Sequence, residues 1–169
     1  MEINVKLDNG FLPDAYGKRA PKDTYIKGQP SVSFPIEITN APVGTKTLAL
    51  TLVDPDSIPV CGFQWIHWTA ANIPGHTTKI PANASQNAAF NFVQGKNSIA
   101  GALIGEKDTK INQHYIGPTP PDKTHDYELR VYALDTQLNL KSGFWMNELQ
   151  HAMNGHIIDH RKFILPYKP

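Results

Sequence analysis

Cysteine is almost missing. Cys61 stands alone, so the chain can form neither an internal disulfide nor a cysteine-based metal cluster. An excess of charge of one sign is missing too: 16 basic residues face 15 acidic ones, for a net charge of +1 with histidine neutral. Nucleic-acid binding leaves a basic excess or stripe, and the densest basic stretch, His160-Arg161-Lys162, is too short to serve as one. No apolar run approaches the roughly 20 residues a bilayer crossing needs, which argues against membrane insertion. The first ten residues, MEINVKLDNG, lack the apolar stretch of a secretory signal, so a cytoplasmic location is expected. Repeats, low-complexity tracts and Gly/Ser linkers are also lacking, and 169 residues fit one domain spanning 1–169.

Proline, by contrast, is abundant. Fourteen prolines cannot sit inside helices or central strands, so they punctuate strand ends and loops of a β scaffold. Lys46–Asp54 is the clearest strand: Leu48, Leu50 and Leu52 alternate with Ala49, Thr51 and Val53, and both faces read as buried. Trp65–Ile73 and Tyr127–Leu134 follow as strands rich in aromatic and β-branched residues. Asn4–Leu7 and Ser33–Thr39 are weaker, and Pro35 predicts an edge or a bulge for the second. Residues 82–115 read as a long loop region. From Phe144 the period turns helical, with Trp145, Leu149 and Met153 on one face and Asn154-Gly155 as the stop. Phe163–Leu165 reads as a last short strand. The expected architecture is mainly β, a sandwich with long loops and a peripheral C-terminal helix.

Two segments carry chemistry. In the first, DPDSIP, Asp54 closes a buried strand at the mouth of the rigid core, and Pro55 and Pro59 stiffen the turn behind it. The next strand then brings His67 and Trp65 to one face, a half-polar, half-apolar wall of the kind that lines small-ligand pockets. In the second, GPTPPDKTHDY, three prolines within five residues build a stiff rim that loses little entropy when a ligand arrives. His125 and Tyr127 then share a strand face and offer an imidazole N–H and a phenol O–H to an oxyanion, while Asp126 points away. Each segment alone also reads as ordinary structure, a proline turn with a satisfied core histidine, or a hydrated strand start.

Taken together and in this order, DPDSIP, QWIHW, GPTPP and THDY resemble the phosphatidylethanolamine-binding proteins, also called Raf-kinase-inhibitor-like proteins. NAPVGTKTLALTLVDPD, LRVYALD and ELQHAMNGHII look like the bacterial branch, and the resemblance covers about residues 31–167. It implies a β-sandwich with a small, shallow anion pocket for phosphate-bearing groups, formed by Asp54, His67, Gly117, Pro121, His125 and Tyr127, with Pro59 and Trp65 as further lip residues. Members of the family act by binding, as kinase modulators, protease inhibitors or signalling scaffolds, most without accepted catalytic activity, and the bacterial branch is often homodimeric; no cofactor is expected for this chain. Two departures stand out. Where the usual turn reads DPDAP, Ser57-Ile58 here replaces a single alanine, which moves Pro59 one place later and widens the spacing from Asp54 to His67. The usual His-Arg-Tyr is here His125-Asp126-Tyr127.

A phosphate needs donors and positive potential. Asp54 would repel it, so its expected task is to accept a hydrogen bond from one histidine and favour that ring's charged form. Two charged histidines and the backbone N–H groups of the Gly117 loop would hold the ligand, with affinity falling as pH rises through neutrality. Rival readings are a hydrolase built from Asp54 and His67 with Ser57 or Cys61, though no nucleophile motif surrounds either, and an interaction module with a vestigial pocket. His156 and His160 stand at helical i, i+4 spacing one turn after His151, but HIIDH lacks the glutamate of a metalloprotease motif, and no metal is expected.

Overall fold

The computed structural model describes residues 1–88 and 90–169. In chain order its strands are β1 (Glu2–Asn4), β2 (Tyr25–Ile26), β3 (Gln29–Pro30), β4 (Ile36–Thr39), β5 (Thr47–Asp54), β6 (Trp65–Pro74), β7 (Lys79–Ile80), β8 (Val93–Gln94), β9 (His125–Leu134) and β10 (Ile157–Tyr167). Three short helices accompany them: α1 (Ile58–Cys61), α2 (Thr109–Asn112) and α3 (Met146–Met153). A five-stranded sheet runs in the order β10-β9-β5-β6-β8, and a three-stranded sheet in the order β1-β4-β7.

The leucine alternation explains why β5 is central. All eight of its residues are buried. Leu48, Leu50 and Leu52 pack with Phe34, Ile36 and Ile38 beneath the small sheet, joined by Leu129 and Val131 of β9. Ala49 faces the other way and meets Leu138, Phe144, Leu149 and Met153. The large sheet is thus covered on both faces, by the small sheet on one and α3 on the other, as a β-sandwich with a C-terminal helix requires.

Pairing of β5 with β6 slips twice. One slip accommodates Asn72, whose φ of 60° suits asparagine and whose side-chain amide clasps both backbone groups of Leu138. At the other, Leu52 opposes Trp68 and Val53 opposes Ile66, so His67 lies on the bulge between them without a partner on β5. A bulge re-aims a side chain where strict alternation would fix it.

Several elements differ from the sequence reading. The first strand is Glu2–Asn4 rather than 4–7. Pro35 stands just outside β4, which begins at Ile36 and lies between β1 and β7, so it is neither an edge nor bulged at the proline. Trp145 caps α3 instead of sharing its buried face: its N–H donates to the Glu148 carboxylate at 2.6 Å, and Lys96 sits over its ring. Phe144 takes the core position. The final strand spans eleven residues rather than three, and His156 and His160 therefore do not share a helical face. His156 precedes β10 and bonds Asp135 at 2.9 Å, while His160 stacks on Tyr132. The charged run Asp159–Lys162 hides this strand from a hydrophobic pattern, because it lies at an exposed sheet edge, where charge blunts edge-to-edge pairing.

Candidate functional site

At the C-terminal end of β5 the chain turns through Pro55–Ser57 into α1, and Gly62, at a φ of 89°, ends that helix and returns the chain to β6. Ser57 holds this enlarged turn together. Its buried hydroxyl lies 2.6 Å from the Asp54 carbonyl and 2.8 Å from the Phe63 carbonyl, and accepts the Trp65 N–H at 2.8 Å. Asp54 accepts the Ser57 N–H at 3.2 Å, and Asp56 reaches across to accept the Asp126 N–H at 2.9 Å. Both aspartates of the DPD run therefore bind the turn to itself and to the start of β9.

Facing this turn, residues 116–121 form a wall fastened from behind by the N-terminal segment. Gly117 donates to the Pro30 carbonyl at 2.7 Å, the Lys18 N–H to that of Pro118 at 2.9 Å, and the Lys18 ammonium to that of Pro120 at 2.8 Å. Between wall and turn lies a cavity of about 180 Å³. Asp54, Ser57, Val60 and Cys61 line it from the turn, Trp65 and His67 from β6, Thr119, Pro120 and Pro121 from the wall, and His125 and Tyr127 from β9.

Six of the eight residues singled out from the sequence thus meet in one place: Asp54, Trp65, His67, Pro121, His125 and Tyr127. Gly117 does not. Its N–H is spent on Pro30, and its role is steric, since a Cβ there would come within 2.4 Å of the Tyr16 carbonyl oxygen. Pro59 is displaced as well: it lies in the first turn of α1, and Val60 and Cys61 reach the cavity instead, a result of the two-residue Ser57-Ile58 replacement.

The two histidines are in opposite electrostatic states. His125, almost fully buried, points Nδ1 at Asp54 at 2.7 Å and Nε2 at Asp122 at 2.9 Å. A neutral ring would turn a lone pair toward one of these carboxylates, whereas the imidazolium donates to both. Burial opposes that charge, but the bonds to Asp54 and Asp122 outweigh it and raise the pKa above the ordinary histidine value. His67, 3% exposed, has Nδ1 2.8 Å from the Ile116 carbonyl. Burial here outweighs both that bond and the Asp54 charge, and lowers the pKa to about 4. The expectation of two charged histidines is therefore corrected to one. Tyr127 packs edge-on against His67, with ring centres 5.0 Å apart, and burial followed by the Asp54 charge raises its phenol pKa, keeping the hydroxyl protonated. Trp65 stacks on Phe63 at 5.7 Å and leaves an apolar flank beside Ile58 and Val60, both half exposed.

The sequence reading includes neither Asp122 nor the buttress of Tyr16, Lys18 and Pro30. An aspartate three residues before a histidine was the available signal for Asp122, and in a proline-rich turn it looks like any turn acid. No sequence signal linked the N-terminal segment to a wall about a hundred residues away. Neither nucleophile of the hydrolase reading is placed for attack: Ser57 Oγ is held by backbone groups, and Cys61 Sγ donates to the Phe63 carbonyl at 3.3 Å.

Comparison with known proteins agrees with this architecture. The phosphatidylethanolamine-binding protein family model matches residues 3–168. The YxkA protein of Bacillus subtilis is 52% identical over 158 residues, covering 94% of both chains. A UPF0098 protein of Chlamydia trachomatis is 33% identical over 146 residues, covering 85% of this chain and 87% of its own. Among solved structures, the Chlamydia trachomatis phosphatidylethanolamine-binding-protein homologue CT736 superposes with a TM-score of 0.70 at 29% identity, covering 91% of this chain and 92% of that one. Escherichia coli YbcL shares the fold, with a TM-score of 0.77 at 23% identity over 99% of this chain and 98% of its own. With the family model spanning nearly its whole length, the chain belongs to the phosphatidylethanolamine-binding protein family.

Proposed function

We propose that the protein is a non-catalytic binding protein whose pocket takes a small oxyanion, the phosphate-bearing head of a larger molecule or free phosphate, with His125 as its charged anchor. The observation that carries this reading is the clamp on His125. Asp54 holds Nδ1 inside the fold, and the N–H at Nε2 already binds an oxyanion, the half-exposed carboxylate of Asp122. A ligand oxyanion takes the place of that carboxylate, with the Tyr127 hydroxyl as a second donor. Thr119 and the prolines supply a wall that needs no reordering on binding.

A binding role is further supported by the engagement of Ser57 and Cys61 with backbone carbonyls, which leaves no nucleophile bonded to a histidine among the described residues. The exposed apolar flank of Ile58, Val60 and Phe63 beside the pocket supports a protein partner, of the kinase or protease class that the family resemblance implies. Homodimer formation rests on that resemblance alone and is read by sedimentation of the full chain. No helix among the described residues is long and apolar enough to cross a membrane.

Calorimetric titration of the full chain with inorganic phosphate, at mildly acid and mildly alkaline pH, tests the pocket reading. Saturable binding is expected on the acid side, weakening as pH rises through the His125 pKa and lost in His125→Ala. Binding that survives in a folded His125→Ala protein, or is absent throughout, overturns the proposal.

A further inference from the structure

We infer that the pocket selects an oxyanion carrying its own proton, a hydrogen phosphate or a phosphomonoester, over a proton-free oxyanion of the same shape, because His67 presents a lone pair to it. This rests on the reading of the cavity as an oxyanion site and names the chemical class that the site accepts.

The argument begins at the Ile116 carbonyl. A carbonyl oxygen can only accept, so the 2.8 Å contact places a hydrogen on Nδ1 of His67. A second hydrogen, on Nε2, would make the ring a cation in a position with 3% exposure, and no carboxylate is hydrogen-bonded to it among the described residues. Burial decides against that cation, as the depressed pKa of about 4 agrees. Nε2 is therefore a bare acceptor near neutral pH. It belongs to a ring that lines the cavity, and no described residue donates to it.

The groups facing it do not supply the missing donor. From the β5–α1 turn come the Asp54 carboxylate, itself an acceptor, and Cys61, whose thiol is directed at Phe63. From β9 comes His125, which gives both ring hydrogens to Asp54 and Asp122, and Tyr127, whose hydroxyl has a single hydrogen. From β6 comes Trp65, whose backbone N–H is bound to Ser57. From the wall comes Thr119, whose hydroxyl makes no hydrogen bond to the His67 ring among the described residues.

A ligand that can only accept, such as sulfate or a sulfonate, sets its lone pairs against Nε2 and leaves a buried acceptor unpaired. A P–O–H group satisfies Nε2 of His67, while its other oxygens displace the Asp122 carboxylate from the Nε2 hydrogen of His125 and meet the Tyr127 hydroxyl. Sites built to hydrogen-bond a ligand hydroxyl discriminate strongly against the analogue lacking it.

Methylphosphonate and methanesulfonate provide the test. At mildly acid pH both are tetrahedral monoanions of nearly equal size, and they differ in one O–H. Calorimetry on the full chain, with inorganic phosphate as reference, is expected to show methylphosphonate binding at least about tenfold tighter than methanesulfonate. In His67→Gln, whose amide can rotate to present N–H, the gap is expected to narrow to a few-fold. Equal affinities in the wild type, with phosphate still bound, overturn the inference and leave the oxyanion reading standing. A gap that persists undiminished in folded His67→Gln overturns the role of His67. Failure of all three anions to bind overturns the oxyanion reading itself. Should His67→Gln not fold, the wild-type pair alone decides.

Discussion

Acidification protonates His67 in the unfolded chain long before the folded protein accepts that proton. The folded-state value is about 4, against an ordinary 6.5, chiefly because of burial. Above about pH 6.5 the ring is neutral in both states, and its full contribution to stability is present. Between that value and about pH 4 only the unfolded chain gains the proton, so stability falls as pH falls and levels off below. The interval between the two values, at about 1.4 kcal/mol for each pH unit, amounts to about 3 kcal/mol, of which about 2.5 kcal/mol is lost by about pH 4.5. Other groups titrate over the same range, so the effect is isolated by a variant. In His67→Asn the amide nitrogen takes the place of Nδ1 on the Ile116 carbonyl, and nothing at that position titrates. Urea denaturation of both proteins at about pH 7 and about pH 4.5 gives four stabilities, and their double difference cancels the shared titrations. The wild type is expected to lose about 2.5 kcal/mol more than the variant. Equal losses, to within about 0.5 kcal/mol, would mean that His67 is not buried neutral, and would remove the basis for ligand-proton selection as well.

The remaining expectations concern the groups around His67. Asp54→Asn takes away the carboxylate at 2.7 Å that offsets burial of the His125 charge, so the His125 pKa, read by NMR titration of its ring protons, is expected to fall by at least about one pH unit; an unmoved value refutes the clamp. Asp122→Asn frees Nε2 of His125 from its internal competitor, and phosphate affinity at mildly acid pH is expected to rise about two- to fivefold, the range of an exposed ion pair. Unchanged or weaker binding shows that Asp122 does not compete. Gly117→Ala forces a methyl to within 2.4 Å of the Tyr16 carbonyl oxygen and is expected to destabilise the fold by about 1–3 kcal/mol in chemical denaturation; wild-type stability would mean that the wall is not packed against the N-terminal segment.

The elements that could be read from the chain are those with one dominant pattern. β5, β6 and β9 announce themselves because apolar residues fill them on one or both faces. Proline runs mark the turn after β5 and the wall before β9, since proline admits few other places. β10 is the opposite case: Asp159, His160, Arg161 and Lys162 sit in an edge strand whose partner supplies the order that its own composition does not. Trp145 departs from its expected face for a related reason: periodicity assigns a face but not a helix start, and the Glu148 cap puts that start at Met146, two residues after Phe144.

By itself the sequence determined the family, the β-rich architecture and a short roster of polar residues at strand ends, since these follow from local pattern and motif order. That Asp54 would serve a histidine was expected; that it serves His125 and not His67 was decided by tertiary structure, because only the slip between β5 and β6 and the pairing of β5 with β9 place one ring against a carboxylate and the other against the Ile116 carbonyl. Charge state followed from the same placement. Two histidines with the same intrinsic chemistry diverge, one held as a cation by two carboxylates and the other held neutral by burial. Whether the pocket meets its ligand with a donor or a lone pair is a property of those surroundings, and no reading of residue order contains it.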